Sequence, residues 1–350
     1  MKCDSNKKTR LGIIFGGRSG EHEVSLMSAA SVIRAVNKEK YELVYIGITK
    51  AGKWKIFEGT ADEIEDGSWE KTAKDFNPGN IKDVIDFALP IIHGPYCEDG
   101  KLQGFFETMD IPYGGCGVLA SAVAMDKLLA KDVFARNGLP ICKHVGVMKS
   151  EYEADPEAAI EKVEAELGYP NFVKPANLGS SVGISKASDR DGLKRAMELA
   201  FTYDKRLIVE EFINARELET AILGNAKPEA AEVGEILPSA DFYDYEAKYL
   251  SGGASKLCIP AQLDPEMRDK IREYAVKAYS AIDGEGFSRV DFFIDRDTGK
   301  LYLNEINTIP GFTSISMFPK LWEAAGVKYQ DTIERIIELG YERYNAKNNR

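Results

Sequence analysis

The chain has 350 residues, of which 44% are hydrophobic and 29% charged, and its net charge is −11 at pH 7. This composition is typical of a globular protein with two or three domains, and the excess of acidic residues argues against nucleic acid or an anionic membrane as a partner. No apolar run approaches the roughly 20 residues of a membrane span, and the polar N-terminus predicts no signal peptide. The five cysteines are scattered without a CxxC pair, which predicts free thiols in a cytoplasmic protein.

Strands and helices alternate over the first third of the chain. Short apolar runs typical of buried strands occur at Leu11–Phe15, Tyr41–Thr49 and Ala88–Ile92. Apolar residues at helical spacing occupy Glu21–Val36. The alternation predicts a doubly wound α/β domain with a parallel sheet over residues 1–125, whose ligands bind beyond the carboxyl ends of the strands.

Glu21 and His93 each follow one of these strands, so both are expected at that edge of the sheet. A strand, a glycine turn and a helix N-terminus together form a cradle for anions. Glu21 and Glu23 at the start of the helix instead favour a cationic group, such as a substrate amine. The residues support equally well the alternative that both acids only stabilise the helix dipole.

A second domain is predicted over residues 126–220. Asp126 is placed to cap a helix that begins at Lys127, and a strand at 172–175 carries Lys174. The loop at 177–183 combines small residues, hydroxyls and two glycines, so its backbone N–H groups could close over phosphates. An ordinary flexible hairpin is the alternative, but Lys174 directly before the loop favours phosphate contact.

The remaining residues, 221–350, are predicted to form a third domain. Its segment 240–256 is rich in Tyr and Lys and too irregular for a helix or strand, which is more typical of a functional loop than of structural filler. A long helix is predicted from Asp264-Pro265 to about Ile282, and a terminal helix from Ile333.

Between these two helices, the segment Gly286–Met317 is predicted to contain a hairpin with a five-residue turn. Alternation places Arg289, Asp291 and Phe293 on one face of its first strand, and Leu303, Glu305 and Asn307 on one face of its second. Two carboxylates and an amide are oxygen ligands suited to Mg²⁺ carried with nucleotide phosphates. A surface hairpin with solvated acids is the alternative for any single acid, whereas the complete set favours a metal–phosphate site.

Five motifs occur in one order along the chain: HGPYCEDGKLQGFFE, GSSVG, FYDYEAKY, RVDFF and LNEINTIPGFTS. Through them the chain resembles the D-alanine–D-alanine ligases of the ATP-grasp superfamily over essentially its whole length. The resemblance implies an ATP-grasp fold, in which two antiparallel sheets clamp ATP beside the N-terminal domain. It also implies a two-step ligation of two D-alanines through an acyl phosphate, for peptidoglycan precursor synthesis.

The resemblance implies roles for residues of all three domains. The implied ATP-binding residues are Lys127, Lys174, Ser180, Ser181, Glu210, Glu211, Phe212, Ile213, Glu217 and Asn304. The implied metal ligands are Asp291, Glu305 and Asn307, holding two Mg²⁺ or Mn²⁺. The implied catalytic residues are Glu21, Ser180, Tyr249, Arg289 and Gly311, and the implied substrate-binding residues are His93, Lys248, Ser316 and Met317.

The resemblance further implies a cytoplasmic homodimer and K⁺ as an activator. Tyr249 favours peptide over D-alanyl–D-lactate ester formation, whereas D-serine as the second substrate remains an alternative. Ile315 departs from the family pattern, in which many members carry histidine at that position. An ATP-binding regulatory module without catalysis is the alternative from another class, and the presence of Lys174, Arg289, Asp291 and Glu305 argues against it.

Overall fold

A computed structural model describes residues 8–179, 182–237 and 256–348. Its strands are β1 Thr9–Gly16, β2 Tyr41–Ile48, β3 Trp54–Phe57, β4 Lys74–Asp75, β5 Phe87–Ile91, β6 His144–Met148, β7 Asn171–Pro175, β8 Ser185–Ala187, β9 Arg206–Glu211, β10 Ala215–Leu223, β11 Glu229–Leu237, β12 Lys256–Cys258, β13 Phe287–Asp295 and β14 Leu301–Asn307. Its helices are α1 His22–Ala35, α2 Ala61–Glu65, α3 Ile81–Val84, α4 Lys101–Thr108, α5 Val118–Met125, α6 Lys127–Arg136, α7 Lys149–Ala154, α8 Pro156–Leu167, α9 Arg190–Ala200, α10 Pro265–Ala281, α11 Met317–Ala324 and α12 Tyr329–Asn348.

The N-terminal sheet has the strand order β4-β3-β2-β1-β5. β1 pairs in parallel with β2 and with β5, as the alternation of strands and helices predicts. β3 and β4 extend the sheet in the antiparallel direction, so the prediction of a wholly parallel sheet was wrong at this edge. The physical reason is the short connection between β2 and β3, because a parallel pair needs a crossover of a dozen or more residues.

Two antiparallel sheets follow, with the orders β6-β9-β7-β8 and β12-β11-β10-β13-β14. Together with the N-terminal sheet they confirm the α/β ATP-grasp class expected from the sequence. Residue 220, at which we place the second domain boundary, lies inside β10, which pairs with β11 and β13 of the five-stranded sheet. The chain crosses from one antiparallel sheet to the other at residues 212–214, between β9 and β10.

The C-terminal helix α12 packs back on the N-terminal domain. Ile333, Ile336 and Ile337 are at most 1% exposed and share one hydrophobic core with the residues of β1 and β5. The ring centroids of Phe87 and Tyr341 lie 4.8 Å apart. The first domain is therefore completed by residues from the end of the chain. None of the helices in the described ranges is long and apolar enough to cross a membrane.

Candidate active site

A cavity of about 580 Å³ lies between the two antiparallel sheets. The structure brings most of the predicted nucleotide and metal residues together in its wall. These are Lys127, Lys174, Glu210, Glu211, Phe212, Ile213, Glu217, Asp291, Asn304, Glu305 and Asn307. At one side of the cavity the rings of Phe172 and Phe212 are stacked, with centroids 6.0 Å apart. Residues from five separate stretches of sequence thus converge on one space.

Glu210 lies between two lysines on the floor of this cavity. Its carboxylate oxygens lie 3.0 Å from Lys131 Nζ and 2.5 Å from Lys174 Nζ. Sequence reasoning missed Lys131, although it lies four residues after Lys127 and therefore on the same side of α6. Lys131 Nζ also donates to the carbonyl oxygen of Asn304 at 3.4 Å. This cluster joins α6, β7, β9 and β14.

The charges of the cluster stabilise one another. Burial would raise the pKa of Glu210, but the two lysines lower it well below its usual range. Burial would lower the pKa of Lys131 and of Lys174, yet Glu210 raises both. For Lys127 the effect of burial dominates, so its pKa is lowered rather than raised. Its Nζ donates to the carbonyl oxygen of Leu178 at 2.6 Å. The cavity floor therefore carries two firmly charged lysines and a third beside the loop at 177–183.

The hairpin formed by β13 and β14 carries the predicted metal ligands. Asp291 pairs directly with Glu305, and Arg289 with Asn307, so these side chains share one face as predicted. The prediction that Leu303 shares that face was wrong, because Leu303 is fully buried in the core opposite Phe292. A β-bulge at Asn304 inserts one residue and reverses the alternation.

The Arg289 guanidinium is held by two acids. Its Nε and Nη2 each donate to Asp291 at 2.7 Å, and Nε lies 2.9 Å from Glu219 Oε2 on the neighbouring strand β10. Asn307 Nδ2 donates to Asp291 Oδ2 at 3.0 Å. A fixed, planar cation thus lies beside the oxygen donors of the hairpin.

Glu21 lies beside Gly179, a residue of the cavity wall, and is 9% exposed. In the part of the chain that the structure describes, its side chain makes no capping hydrogen bond to α1. It faces two loops instead, because a Cβ built on Gly94 would lie 2.5 Å from Glu21 Oε2 and one built on Gly179 would lie 3.1 Å from it. This placement favours a ligand at Glu21 over the helix-dipole interpretation.

His93 is buried among protein partners on the same side. Its Nδ1 lies 2.9 Å from the carbonyl oxygen of Ile309, and its Nε2 lies 2.9 Å from the Ser28 hydroxyl. Burial lowers the pKa of His93, so the neutral ring donates from Nδ1 and accepts from Ser28 at Nε2. Sequence reasoning also missed Glu98, which lines the cavity and binds the N–H of Ile309, the residue whose carbonyl oxygen His93 binds.

The remaining predicted substrate residues lie where β14 leads into α11. The Thr313 N–H donates to the Ser316 hydroxyl at 3.0 Å, and Met317 is 5% exposed at the start of α11. Gly311 lies between Ile309 and Thr313, and Ile315 is 66% exposed. The predicted residues Ser180, Ser181, Lys248 and Tyr249 lie outside the described residues.

Two family models match the chain. The D-ala D-ala ligase N-terminus matches residues 10–116 and the D-ala D-ala ligase C-terminus matches residues 133–338. The chain belongs to the D-alanine–D-alanine ligase family. A relative called D-alanine--D-alanine ligase from Ruminiclostridium cellulolyticum is 48% identical, over 96% of both chains. Another of that name from Clostridium acetobutylicum is 49% identical, over 97% of this chain and 100% of the relative.

Solved structures of the same family share the fold. The VanG D-Ala:D-Ser ligase from Enterococcus faecalis superposes with a TM-score of 0.86 at 37% identity, over 95% of this chain and 100% of that one. The D-alanine-D-alanine ligase from Coxiella burnetii superposes with a TM-score of 0.85 at 31% identity, over 98% of this chain and 96% of that one. The resemblance based on five sequence motifs is thereby confirmed.

Proposed function

We propose that the protein uses ATP to join two D-alanine molecules into D-alanyl-D-alanine, giving ADP and phosphate, for peptidoglycan precursor synthesis. The observation that carries this proposal is the convergence of Lys127, Lys174 and the Asp291–Glu305 pair on one cavity between two sheets. Such a cavity holds a nucleotide with its phosphates toward the lysines and the oxygen donors. The relatives called D-alanine--D-alanine ligase, at 48% and 49% identity, support the choice of substrates.

The nucleotide is expected to lie along the cavity with its base near the stacked Phe172 and Phe212. Glu210, Glu211 and Ile213 bind the adenine, and Glu217 binds the ribose. Lys127 and Lys174 lie toward the phosphates, where Lys174 stays charged because Glu210 raises its pKa. Phe212, Asn304, Ser180 and Ser181 complete the proposed ATP site.

The hairpin residues fit the two Mg²⁺ or Mn²⁺ ions that the family implies. In the described ranges no group of three or more His, Cys, Asp or Glu side chains could hold a metal. Asp291, Glu305 and Asn307 supply two carboxylates and one amide, an incomplete ligand set that suits an ion carried with nucleotide phosphates. When bound, the ions neutralise charge on the transferred phosphoryl group.

In the first step, Glu21 holds the ammonium of the first D-alanine so that its carboxylate faces the γ-phosphate. Attack of a carboxylate oxygen on phosphorus displaces ADP and leaves an acyl phosphate. Lys127, Lys174 and Arg289 offset the negative charge of the phosphoryl group. We place His93 near this first substrate, where its hydrogen bonds hold the surrounding loops.

In the second step, the free amine of the second D-alanine attacks the acyl carbon and phosphate leaves. Arg289 and the Gly311 N–H stabilise the oxyanion that forms. Lys248 and Ser316 bind the carboxylate of the second D-alanine, and Met317 lines its pocket. Ser180 and Tyr249 link the covering loop 240–256 to Glu21.

A product-resolved assay tests the proposed reaction. The purified protein is incubated with ATP and D-alanine, then with added D-serine or D-lactate, and phosphate and products are measured. D-alanyl-D-alanine as the main product throughout supports the proposal. The likeness to a D-Ala:D-Ser ligase makes the mixed D-alanyl-D-serine dipeptide the second candidate product. ATP binding without phosphate release would favour the regulatory module.

We also propose the setting in which the enzyme works. It is a cytoplasmic homodimer of three-domain subunits. We place the first domain boundary at residue 125 and the second, in place of residue 220, at the link 212–214 between β9 and β10. K⁺ activates it, so turnover is higher in potassium than in sodium buffer. Light scattering at micromolar concentration tests the dimer, and a mass corresponding to one chain would contradict it.

A further inference from the structure

Glu98 uses both carboxylate oxygens to join two domains. Its Oε2 accepts the Gly94 N–H at 2.6 Å within its own loop, and its Oε1 accepts the Ile309 N–H at 3.0 Å. Gly94 is the residue whose backbone lies against Glu21, and Ile309 lies two residues before Gly311. One carboxylate thus touches the segments that carry both proposed substrate sites.

The segment around Gly311 has further anchors on the N-terminal side. The Ile309 carbonyl oxygen accepts from His93 Nδ1, and the Phe312 N–H donates to the Ser28 hydroxyl at 3.3 Å. The Tyr329 hydroxyl donates to the Phe312 carbonyl oxygen at 2.6 Å. Ile309 and Phe312 are therefore held on both sides of Gly311. The Glu98 bond is the anchor nearest to the metal hairpin.

A carboxylate is the group that satisfies this geometry. Two converging N–H donors need two acceptor oxygens, whereas an amide would present its own N–H₂ to one of them. The charged and titratable groups that face Glu98 are Glu21 directly before α1, Arg289 on β13, and His93 and Cys97 in its own loop. An ammonium held at Glu21 would offset the negative charge nearest to Glu98, and so favour its ionised form.

We propose that Glu98 is a positioning residue that fixes the Gly311 N–H relative to the Glu21 side of the active site. This inference rests on the proposed function, because it assigns Gly311 to the oxyanion. Without the bond to Ile309, the Gly311 segment can shift away from the acyl carbon. A displacement of about 1 Å from the reacting atoms can lower the rate as much as a hundredfold.

The test compares Glu98→Gln with Asp99→Asn in steady-state kinetics with ATP and D-alanine. Asp99 is the adjacent acid, and it accepts from the N–H groups of Tyr96 and Lys101 without touching Ile309. We expect Glu98→Gln to lower kcat by about tenfold to a hundredfold and to raise the KM for the second D-alanine. The KM for ATP should stay within about twofold of the wild-type value, and Asp99→Asn should resemble the wild type.

The KM values distinguish positioning from a general loss of folded protein, since a smaller active fraction lowers kcat and leaves every KM unchanged. If Glu98→Gln does not fold, Ser28→Ala removes the Phe312 anchor and should raise the same KM. A Glu98→Gln enzyme with wild-type kcat and KM values would overturn the inference. An inactive wild-type protein would instead overturn the proposed function, so the two failures are distinguishable.

Discussion

At the scale of single residues, Glu210 is the group on which the charge balance of the cavity floor depends. It is 3% exposed and is paired with Lys131 and Lys174. Replacing it by glutamine leaves two buried ammonium groups without their carboxylate. We expect Glu210→Gln to lower the free energy of unfolding by about 3–5 kcal/mol in urea denaturation without ligand.

Lys131→Met is the matched variant, because it leaves Glu210 paired with Lys174 in a neutral pair. Its free energy of unfolding should therefore fall by less than that of Glu210→Gln. An equal or larger loss in Lys131→Met would contradict this account of the cluster. Such clusters of buried charge are not apparent in a sequence, because Lys131 and Glu210 are 79 positions apart and meet only in the folded chain.

Glu98 gives a prediction on pH dependence. Burial and the charge of Glu21 raise its pKa to about 8, although both backbone N–H groups oppose the shift. Between the usual pKa of glutamate and pH 8, the folded protein therefore keeps a proton on Glu98 that the unfolded chain has released. The contribution of this proton to the free energy of unfolding is lost as the pH rises through this range. Urea denaturation of wild type and Glu98→Gln at pH 5.5 and pH 8 should show wild type losing stability relative to the variant. A constant difference would contradict the shift.

At the scale of elements, the hairpin shows what alternation predicts and where it fails. The shared face of Asp291, Glu305 and Asn307 was predicted from strand periodicity and a five-residue turn. The direct pairing of Asp291 with Glu305 depends on the bulge, because the turn between Asp295 and Lys300 holds four residues. The bulge at Asn304 was not predicted, because nothing in the sequence distinguishes a residue inserted by a bulge from a residue paired across the hairpin. The same limit applies to β3 and β4, where a short turn decides between parallel and antiparallel pairing.

The docking of α12 gives a prediction at this scale. A Cβ on Gly340 would lie 2.4 Å from the carbonyl oxygen of Tyr113 and 2.6 Å from the Phe87 ring. Gly340→Ala should therefore lower the free energy of unfolding by about 1–3 kcal/mol, although alanine favours helix formation. Gly104 in α4 is the control, since a Cβ there meets nothing within 4 Å. Gly104→Ala should raise stability by about 0.5–1 kcal/mol, and stabilisation by both variants would contradict the close approach of α12.

At the scale of the whole molecule, the three sheets and the order of the site motifs were predicted from the sequence. The packing of the C-terminal helix α12 on the N-terminal domain was not. A terminal helix from Ile333 was predicted, but its packing against β5 was not, because contacts between the two ends of a chain leave no local pattern. The predicted cavity residues converge because they lie at strand ends and on facing strands. Lys131 was missed because its partner Glu210 is 79 positions away, and Glu98 was missed because its partner Ile309 comes from another domain.

The proposed metal site depends on the whole molecule, because its ligands come from two strands, β13 and β14, and from the phosphates of the bound nucleotide. Glu305→Ala removes one of two carboxylate donors and should lower kcat on the order of a thousandfold at saturating Mg²⁺. Asp297→Ala, in the exposed turn of the same hairpin, should leave kcat near the wild-type value. Near-normal turnover by Glu305→Ala would contradict the assignment of Glu305 as a metal ligand.

The central claim is that ATP activates the carboxylate of one D-alanine as an acyl phosphate, and oxygen transfer tests it most directly. D-Alanine labelled with oxygen-18 in its carboxylate is incubated with the protein, ATP and Mg²⁺, and the released phosphate is examined by mass spectrometry. The account predicts that each phosphate carries one oxygen from the substrate carboxylate, with one D-alanyl-D-alanine formed for each phosphate. Unlabelled phosphate would show that water, not the carboxylate, attacks the γ-phosphate, and would contradict the proposed ligation.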